Sequence, residues 1–105
     1  LIRKLTKVLK KKFNKNKIIV AYEPIWSIGT GKIPNPKDLL MTTTYIKKIL
    51  TKIFRKNSPA VLYGGSVNPK NINELKNIKN IDGFLIGGAS QDPKKFIDII
   101  KKTYN

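Results

Sequence analysis

The sequence predicts an α/β fold in which three parallel strands alternate with helices. Two observations predict it: three short apolar segments have the composition of buried strands, and each is followed by a segment whose apolar residues recur at helical spacing. Three parallel strands alone leave apolar edges open, so we expect further strands to complete the sheet. At 105 residues the chain is long enough for one small domain, and we expect it to be a fragment of that domain.

The first helix and the first strand are predicted before residue 24. Four apolar residues near the start of the chain recur at helical spacing: Ile2, Leu5, Val8 and Leu9. This pattern is already under way at Leu1, which is the reason to expect a fragment. The segment KIIVAYE, residues 17–23, is nearly all apolar and predicts a strand buried on both faces.

The second helix is predicted to begin at Pro36. Asn35 is suited to cap it, proline is favoured at the first helical position, and Asp38 lies near the positive end of the helix dipole. The apolar stripe of this helix consists of Leu39, Ile46, Ile49, Leu50 and Ile53.

Strand and helix then follow each other twice more. The two strands are predicted over AVLYGG, residues 60–65, and GFLIGG, residues 83–88. The helix after the first is predicted from Asn68-Pro69 through Ile72, Leu75 and Ile78. The helix after the second is predicted from Asp92-Pro93 through Phe96, Ile99 and Ile100.

The chain contains no cysteine and no histidine. A disulfide framework and a thiolate metal site are therefore excluded, and the commonest general base is absent from this chain. No apolar run approaches the roughly 20 residues that cross a bilayer. No leader pattern is recognisable, so we expect a cytoplasmic protein without a membrane partner.

The chain is strongly basic, with 22 lysines and arginines against six acidic residues and a formal charge of +16. This charge suggests binding to nucleic acid, because lysines gain affinity by releasing counterions from phosphates. The lysines are, however, spread over several helices, and an A/T-rich gene would favour lysine, isoleucine and asparagine together. We therefore expect weak attraction to polyanions and no specific nucleic-acid partner.

Glu23 ends the first strand and is followed by an apolar loop that contains Gly29 and Gly31. A carboxylate that leaves an apolar strand is partly desolvated, which raises its pKa and makes it a better proton acceptor. The loop after it resembles a lid that closes on a ligand and excludes water. The alternative is a surface glutamate followed by a loop whose tryptophan packs on a neighbouring element.

The other two strands end in paired glycines, in YGGSV and IGGAS. Such turns let the backbone approach a ligand and point N–H groups at an anion. Tight packing of strand against helix is the alternative explanation for either pair alone. Phosphate-binding loops after the last two strands are, in contrast, typical of the eight-stranded α/β barrel.

Three segments together resemble the C-terminal part of the triosephosphate isomerase family: AYEPIWSIGTGK, YGGSVNPKNINEL and IDGFLIGGASQDPKKF. The resemblance extends from about residue 17 to residue 104. It implies that residues 1–105 are the last three βα units of a (β/α)8 TIM barrel, preceded by one helix. It also implies a glycolytic and gluconeogenic isomerase that acts on dihydroxyacetone phosphate and glyceraldehyde 3-phosphate, as a homodimer and without a metal or organic cofactor.

The resemblance implies a role for each matching residue. Glu23 corresponds to the catalytic base, and Gly29, Ser66, Gly87 and Gly88 correspond to positions that hold the substrate phosphate. The mobile lid corresponds to Pro24, Ile25, Trp26, Ser27, Ile28, Gly29, Thr30, Gly31, Lys32, Ile33 and Pro34. The family also uses a lysine and a histidine that are not in these residues, so we expect this chain to be inactive unaided.

Three positions depart from the family pattern. Pro34 has no N–H to offer the hydroxyl of Tyr63, the lid latch, so we expect a closed lid weaker by roughly 1 kcal/mol and little effect of Tyr63→Phe. A bond between Ser66 and the Gly31 amide stays possible. Lys47 replaces a frequent arginine opposite Asp82; this pair either supports the last two strands more loosely or is simply solvated. Ser27 replaces a frequent alanine on what we expect to be an exposed loop, where it should matter little.

Two other functions fit parts of the pattern. The first is another barrel enzyme that binds phosphorylated sugars or nucleotides through the same glycine loops. The second is a basic binding module without catalytic activity. The Glu-Pro lid with its tryptophan favours the isomerase.

Overall fold

The computed structural model describes residues 15–27, 29–55 and 58–105. Within them the fold is α/β, as the sequence predicts. The strands are β1 (Ile19–Tyr22), β2 (Ala60–Tyr63) and β3 (Gly83–Phe84), and the helices are α1 (Pro36–Phe54), α2 (Ile72–Leu75) and α3 (Pro93–Thr103). Short 3-10 turns cover Lys15–Lys17, Ile25–Ser27 and Gly88–Gln91. The helix predicted over the first residues lies outside the described residues.

The three strands form one parallel sheet in the order β1-β2-β3. At its carboxyl end Tyr22 pairs with Tyr63, and Tyr63 pairs with Phe84. Because the strands are parallel and in sequence order, the residues that follow all three strands meet at one edge. This register brings Glu23 and both glycine pairs to the same end of the sheet.

Helices α1 and α3 begin as predicted. The Asn35 carboxamide oxygen accepts a hydrogen bond from the Lys37 amide at 2.8 Å, and proline occupies the first position of α1. The Asp92 carboxylate likewise accepts bonds from the amides of Lys94 and Lys95, at 3.0 and 3.4 Å. Both helices therefore start where a polar side chain satisfies the first free amides.

Helix α2 is much shorter than predicted. It covers four residues, Ile72–Leu75, and stops before Ile78. The Asn68 carboxamide oxygen accepts bonds from the amides of Lys70 and Asn71, at 2.8 and 3.1 Å. These are the bonds of a capping side chain before the helix, and they do not set its end. After the helix the Ile78 amide bonds the Leu75 carbonyl oxygen, three residues back, at 3.2 Å, so the four-residue spacing of an α-helix does not continue to Ile78.

The prediction that the first strand is buried on both faces is wrong for β1. Ile19 is 68% exposed and Ala21 is exposed. The cause is its position: β1 is at the edge of the described sheet and pairs with one neighbour, β2. The prediction holds better for β2, in which Val61 and Tyr63 are fully buried.

The core lies between the sheet and the helices in two clusters. One cluster, near the carboxyl end of the sheet, contains Leu39, Tyr63, Val67, Ile72, Leu75 and Ile99. The other lies between α1 and the sheet and contains Ile46, Leu50, Phe54 and Val61. Four residues of the predicted α1 stripe thus face the sheet or pack against this core: Leu39, Ile46, Leu50 and Ile53. Among the described residues, none of the helices combines the length and apolar character that a bilayer crossing requires.

An ion pair joins α1 to the sheet. Lys47 Nζ lies 2.5 Å from an Asp82 carboxylate oxygen, which also accepts the Val61 amide at 2.7 Å. The predicted pairing of Lys47 with Asp82 is therefore confirmed, and the alternative of two solvated side chains is wrong. One carboxylate connects helix α1, strand β2 and the start of β3.

Candidate active site

A cavity of about 730 Å³ opens at the carboxyl end of the sheet. Six residues predicted for the site contribute to its wall: Glu23, Gly29, Gly31, Ser66, Gly87 and Gly88. They come from the ends of all three strands and from the loop that follows β1. The fold therefore places residues 65 positions apart in the chain around one space.

Glu23 follows β1 directly and lies against the first glycine pair. A Cβ added to Gly64 would lie 2.7 Å from Glu23 Cγ and 3.2 Å from Leu85 Cβ. Glu23 itself is exposed, so the predicted desolvation of its carboxylate is not present in the described residues. The reason is the edge position of β1, which leaves one side of Glu23 without a protein neighbour from the described sheet.

The two glycine pairs differ in what surrounds them. A Cβ on Gly65 would collide with the Tyr63 hydroxyl and with Ser27 Oγ, whereas one on Gly87 or Gly88 would meet nothing within 4 Å. Close packing therefore requires glycine at Gly64 and Gly65. The neighbours are side chains of the site, and not a helix as in the alternative explanation. The second pair is exposed and lines the cavity, in a position where its backbone can face a ligand.

Ser66 holds the lid, which we define as residues 24–34. Its Oγ accepts a hydrogen bond from the Gly31 amide at 3.0 Å and donates a short one to the Ser27 carbonyl oxygen. The bond to Gly31 that the sequence leaves possible is thus present. Ser66 also has φ +28°, a conformation that side-chain-bearing residues rarely adopt and that is common at functional sites.

The lid lies over the cavity in this structure. Gly29 and Gly31, with φ +68° and +76°, adopt backbone angles that favour glycine, and both line the cavity. Pro24 is buried and Ile33 packs against the core cluster, so both ends of the lid are fixed. Ile25 is 88% exposed and does not contribute to a buried apolar surface. Ile28 lies outside the described residues.

Ser27 is buried, and the prediction that it lies on an exposed loop is wrong. Its side chain is fully inaccessible to solvent. Its hydroxyl donates to the Lys32 carbonyl oxygen in a short bond and lies 3.0 Å from the Tyr63 hydroxyl. The sequence did contain a sign of this burial, because Ser27 stands between a tryptophan and an isoleucine. A polar side chain buried in an apolar loop needs a hydrogen-bond partner.

Tyr63 connects the lid to the core. It is fully buried in the cluster around Leu39, and its ring centroid lies 6.4 Å from that of Tyr22. Burial raises the pKa of the Tyr63 hydroxyl above its ordinary value of 10. The hydroxyl therefore carries its proton at neutral pH and can act as a donor.

Sequence reasoning missed two lysines. Lys70 and Lys95 contribute to the cavity wall, and Lys95 lies in the first turn of α3. The strongly basic composition hid them, because single lysines do not stand out among 22 basic residues. Two cations and an open glycine turn favour an anionic ligand. Within the described ranges, no group of three or more acidic, histidine or cysteine side chains could hold a metal ion.

Comparison with known proteins assigns the chain to a family. A family model described as triosephosphate isomerase matches residues 1–103. The triosephosphate isomerase of Entamoeba histolytica is 48% identical over 89 residues, which are 82% of this chain and 34% of that protein. The enzyme of Mycoplasmopsis agalactiae is 41% identical over 99 residues, or 94% and 36%. That of Aquifex aeolicus is 42% identical over 87 residues, or 81% and 35%.

The chain spans about a third of the length of these relatives. The family model nevertheless covers nearly all of the chain, and the matching residues include the three strand ends that form the cavity. On this evidence the chain belongs to the triosephosphate isomerase family.

Proposed function

We propose that this chain supplies the base, the lid and the phosphate-binding turns of a triosephosphate isomerase. The observation that carries the proposal is the cavity in which Glu23 and the open turn at Gly87 and Gly88 share one wall. The substrates are dihydroxyacetone phosphate and glyceraldehyde 3-phosphate, in glycolysis and gluconeogenesis. The chain forms the C-terminal βα units of a (β/α)8 barrel, and the complete enzyme is a cytoplasmic homodimer.

Glu23 acts as a base that moves one proton between neighbouring carbons. Its carboxylate takes the proton from the hydroxyl-bearing carbon next to the carbonyl, and the C–H electrons form a C=C bond while the carbonyl oxygen takes up the negative charge. The carboxylic acid then returns the proton to the former carbonyl carbon. The hydroxyl proton of the other oxygen moves to the former carbonyl oxygen, which becomes a hydroxyl, while the other oxygen becomes the new carbonyl. Atoms and charges then balance without a cofactor.

The substrate phosphate is held at the glycine turns. Gly87 and Gly88 lie in open space at the start of the 3-10 turn Gly88–Gln91, and their backbone N–H groups suit a phosphate oxygen. The Ser66 hydroxyl is already occupied by the lid, since it bonds Gly31 and Ser27. The contribution of Ser66 is therefore its backbone N–H, together with the position of Gly29 in the lid above.

The test is isomerisation by the complete enzyme in deuterium oxide. We expect deuterium on the carbon beside the carbonyl of the product, observed by NMR, because a carboxylic acid exchanges its proton with solvent. The chain has no histidine, and the charge that develops on the substrate oxygen needs a donor from elsewhere in the barrel. We therefore expect no turnover by these 105 residues alone and recovery when the N-terminal part is added. Turnover by the chain alone would contradict the second claim, and a complete enzyme without isomerase activity would overturn the first.

Lys95 provides a prediction about substrate capture. Lys95→Met removes a positive charge from the cavity wall, whereas Lys94→Met removes the same charge from the neighbouring exposed position outside it. We expect Lys95→Met to lower kcat/KM about two- to fivefold at low salt through a higher KM, and Lys94→Met to change it less. At about 1 M salt, where the Debye length falls to about 3 Å, the two variants should converge. Equal effects of both variants at low salt would exclude a specific role for Lys95.

A further inference from the structure

The strongest unexplained feature outside the proposed chemistry is the buried pair of hydroxyls at Ser27 and Tyr63. Their oxygens are 3.0 Å apart, and both side chains are fully inaccessible to solvent. One belongs to the lid and the other to strand β2. Nothing in the proposed proton transfer requires either of them.

We propose that Ser27 is the residue that latches the lid to Tyr63, and that it positions the lid over the bound substrate. This inference rests on the proposed function, because it assigns a task within the same site. Ser27 does not touch the reacting atoms. It acts by holding Gly29 and Gly31 above the cavity that they line.

The direction of the bonds follows from counting donors. Ser27 has one hydroxyl proton, and that proton is donated to the Lys32 carbonyl oxygen on the far arm of the lid. The Tyr63 hydroxyl must then donate its own proton to Ser27 Oγ. Burial keeps Tyr63 protonated, as its raised pKa indicates. The result is a chain of two bonds from β2, through Ser27, to the other end of the lid.

Gly65 shows that the backbone is shaped around this pair. A Cβ at residue 65 would collide with both the Tyr63 hydroxyl and Ser27 Oγ. Gly65 is buried, and its missing side chain leaves the space in which the two oxygens meet. Each hydroxyl is satisfied there, consistent with the finding that no described buried side-chain nitrogen or oxygen is without a partner.

Ser27 also receives the second attachment of the lid. Its carbonyl oxygen accepts the Ser66 hydroxyl, while Ser66 Oγ accepts the Gly31 amide. The side chain and the backbone of one lid residue thus contact Tyr63 and Ser66. Pro34 has no N–H for Tyr63, and the Ser27 hydroxyl supplies the partner that Pro34 cannot.

This geometry reverses the expectation for Tyr63→Phe. That expectation assumed that the Tyr63 hydroxyl lacks a partner in the closed lid. With Ser27 as the partner, removal of the hydroxyl breaks a buried bond and leaves Ser27 Oγ with one bond fewer. The substitution should therefore weaken ligand binding measurably.

The test is a double-mutant cycle in the complete enzyme, with Ser27→Ala, Tyr63→Phe and both together. The readouts are the Kd of glycerol 3-phosphate, which has the phosphate but cannot react, the KM and kcat for glyceraldehyde 3-phosphate, and the urea midpoint without ligand. One neutral hydrogen bond corresponds to a change of roughly three- to tenfold in Kd for each single variant. Since both variants break the same bond, the double variant should be no weaker than the worse single one.

The controls separate a latch from a static contact. Ser58→Ala and Tyr104→Phe remove the same groups from positions outside the lid and the cavity wall, and should leave Kd unchanged. Ser27→Thr keeps a hydroxyl, and should retain coupling to Tyr63→Phe even if the extra methyl lowers stability. If Ser27 is a latch, the lid opens without ligand and the bond to Tyr63 is broken; coupling should then appear in Kd and KM and be absent from the ligand-free urea midpoint.

Two results would overturn the latch. Additive effects on Kd would show that Ser27 and Tyr63 do not act through one bond, and equal coupling in the ligand-free midpoint would show a permanent structural contact. The isomerase activity of the wild-type enzyme is measured first. Absent activity would contradict the proposed function, whereas normal activity with additive effects on Kd would contradict only the latch. If the wild-type enzyme is inactive but binds glycerol 3-phosphate, the coupling between Ser27 and Tyr63 is still measured from Kd.

Discussion

Glu23→Gln in the complete enzyme is expected to lower kcat by roughly 10²- to 10⁴-fold, the usual contribution of a positioned general base. Glutamine keeps the size and shape of the side chain beside Gly64 but cannot accept the proton. Glu23 contributes to the cavity wall without being a phosphate-binding group, so KM and the Kd of glycerol 3-phosphate should change little. Steady-state kinetics in both directions and calorimetric binding provide the two measurements.

Glu74→Gln is the matched control, because Glu74 is the other glutamate of this chain. It is exposed in the first turn of α2 and is not part of the cavity wall. Its substitution should leave kcat within about twofold of wild type, since surface substitutions usually have small effects. A Glu23→Gln enzyme with more than a tenth of wild-type kcat would exclude Glu23 as the base.

Gly64→Ala is expected to have the second largest effect, a loss of about 100-fold in kcat/KM. The added Cβ would lie 2.7 Å from Glu23 Cγ, closer than real Cβ contacts allow, so the carboxylate must move. A displacement of about 1 Å at a reacting group can cost about 100-fold in rate. The loss should fall mainly on kcat, because the nearest atoms to the new methyl belong to Glu23 and Leu85 and not to Gly87 or Gly88.

Gly83→Ala is the control for this substitution. Its Cβ would lie 3.0 Å from Leu62 Cδ2, the flexible end of a side chain away from the cavity wall. We expect a modest loss of stability, measured by urea unfolding, with kcat near wild type. If Gly64→Ala leaves kcat intact while the enzyme folds, Glu23 has freedom that this structure does not indicate, and its proposed alignment is wrong.

Much of the fold was predictable because local chemistry and apolar spacing agreed. Pro36 and Pro93 follow capping side chains, and both helices begin there. Glycines at strand ends predicted where the cavity forms, because parallel strands in sequence order end at one edge. The pairing of Lys47 with Asp82 was reached through resemblance, and the structure confirms it at 2.5 Å.

The remaining features depend on contacts that no local pattern contains. Helix α2 ends at Leu75, and the Ile78 amide then bonds the Leu75 carbonyl oxygen three residues back, a change of bonding that the apolar spacing through Ile78 does not reveal. The burial of Ser27 depends on Tyr63, which is 36 positions away. The exposure of Glu23 depends on whether another strand pairs with the free edge of β1. The sequence of β1 itself does not contain this information.

The space at Gly65 constrains the order in which mutations can be accepted. A side chain at residue 65 would meet two hydroxyls at once, so any larger residue there requires prior changes at both Ser27 and Tyr63. Either of those changes alone removes a lid bond and leaves the other oxygen still in the way. Three positions spread over 39 residues of sequence are therefore expected to change as a group or not at all, and a substitution harmless in one relative can be lethal in another.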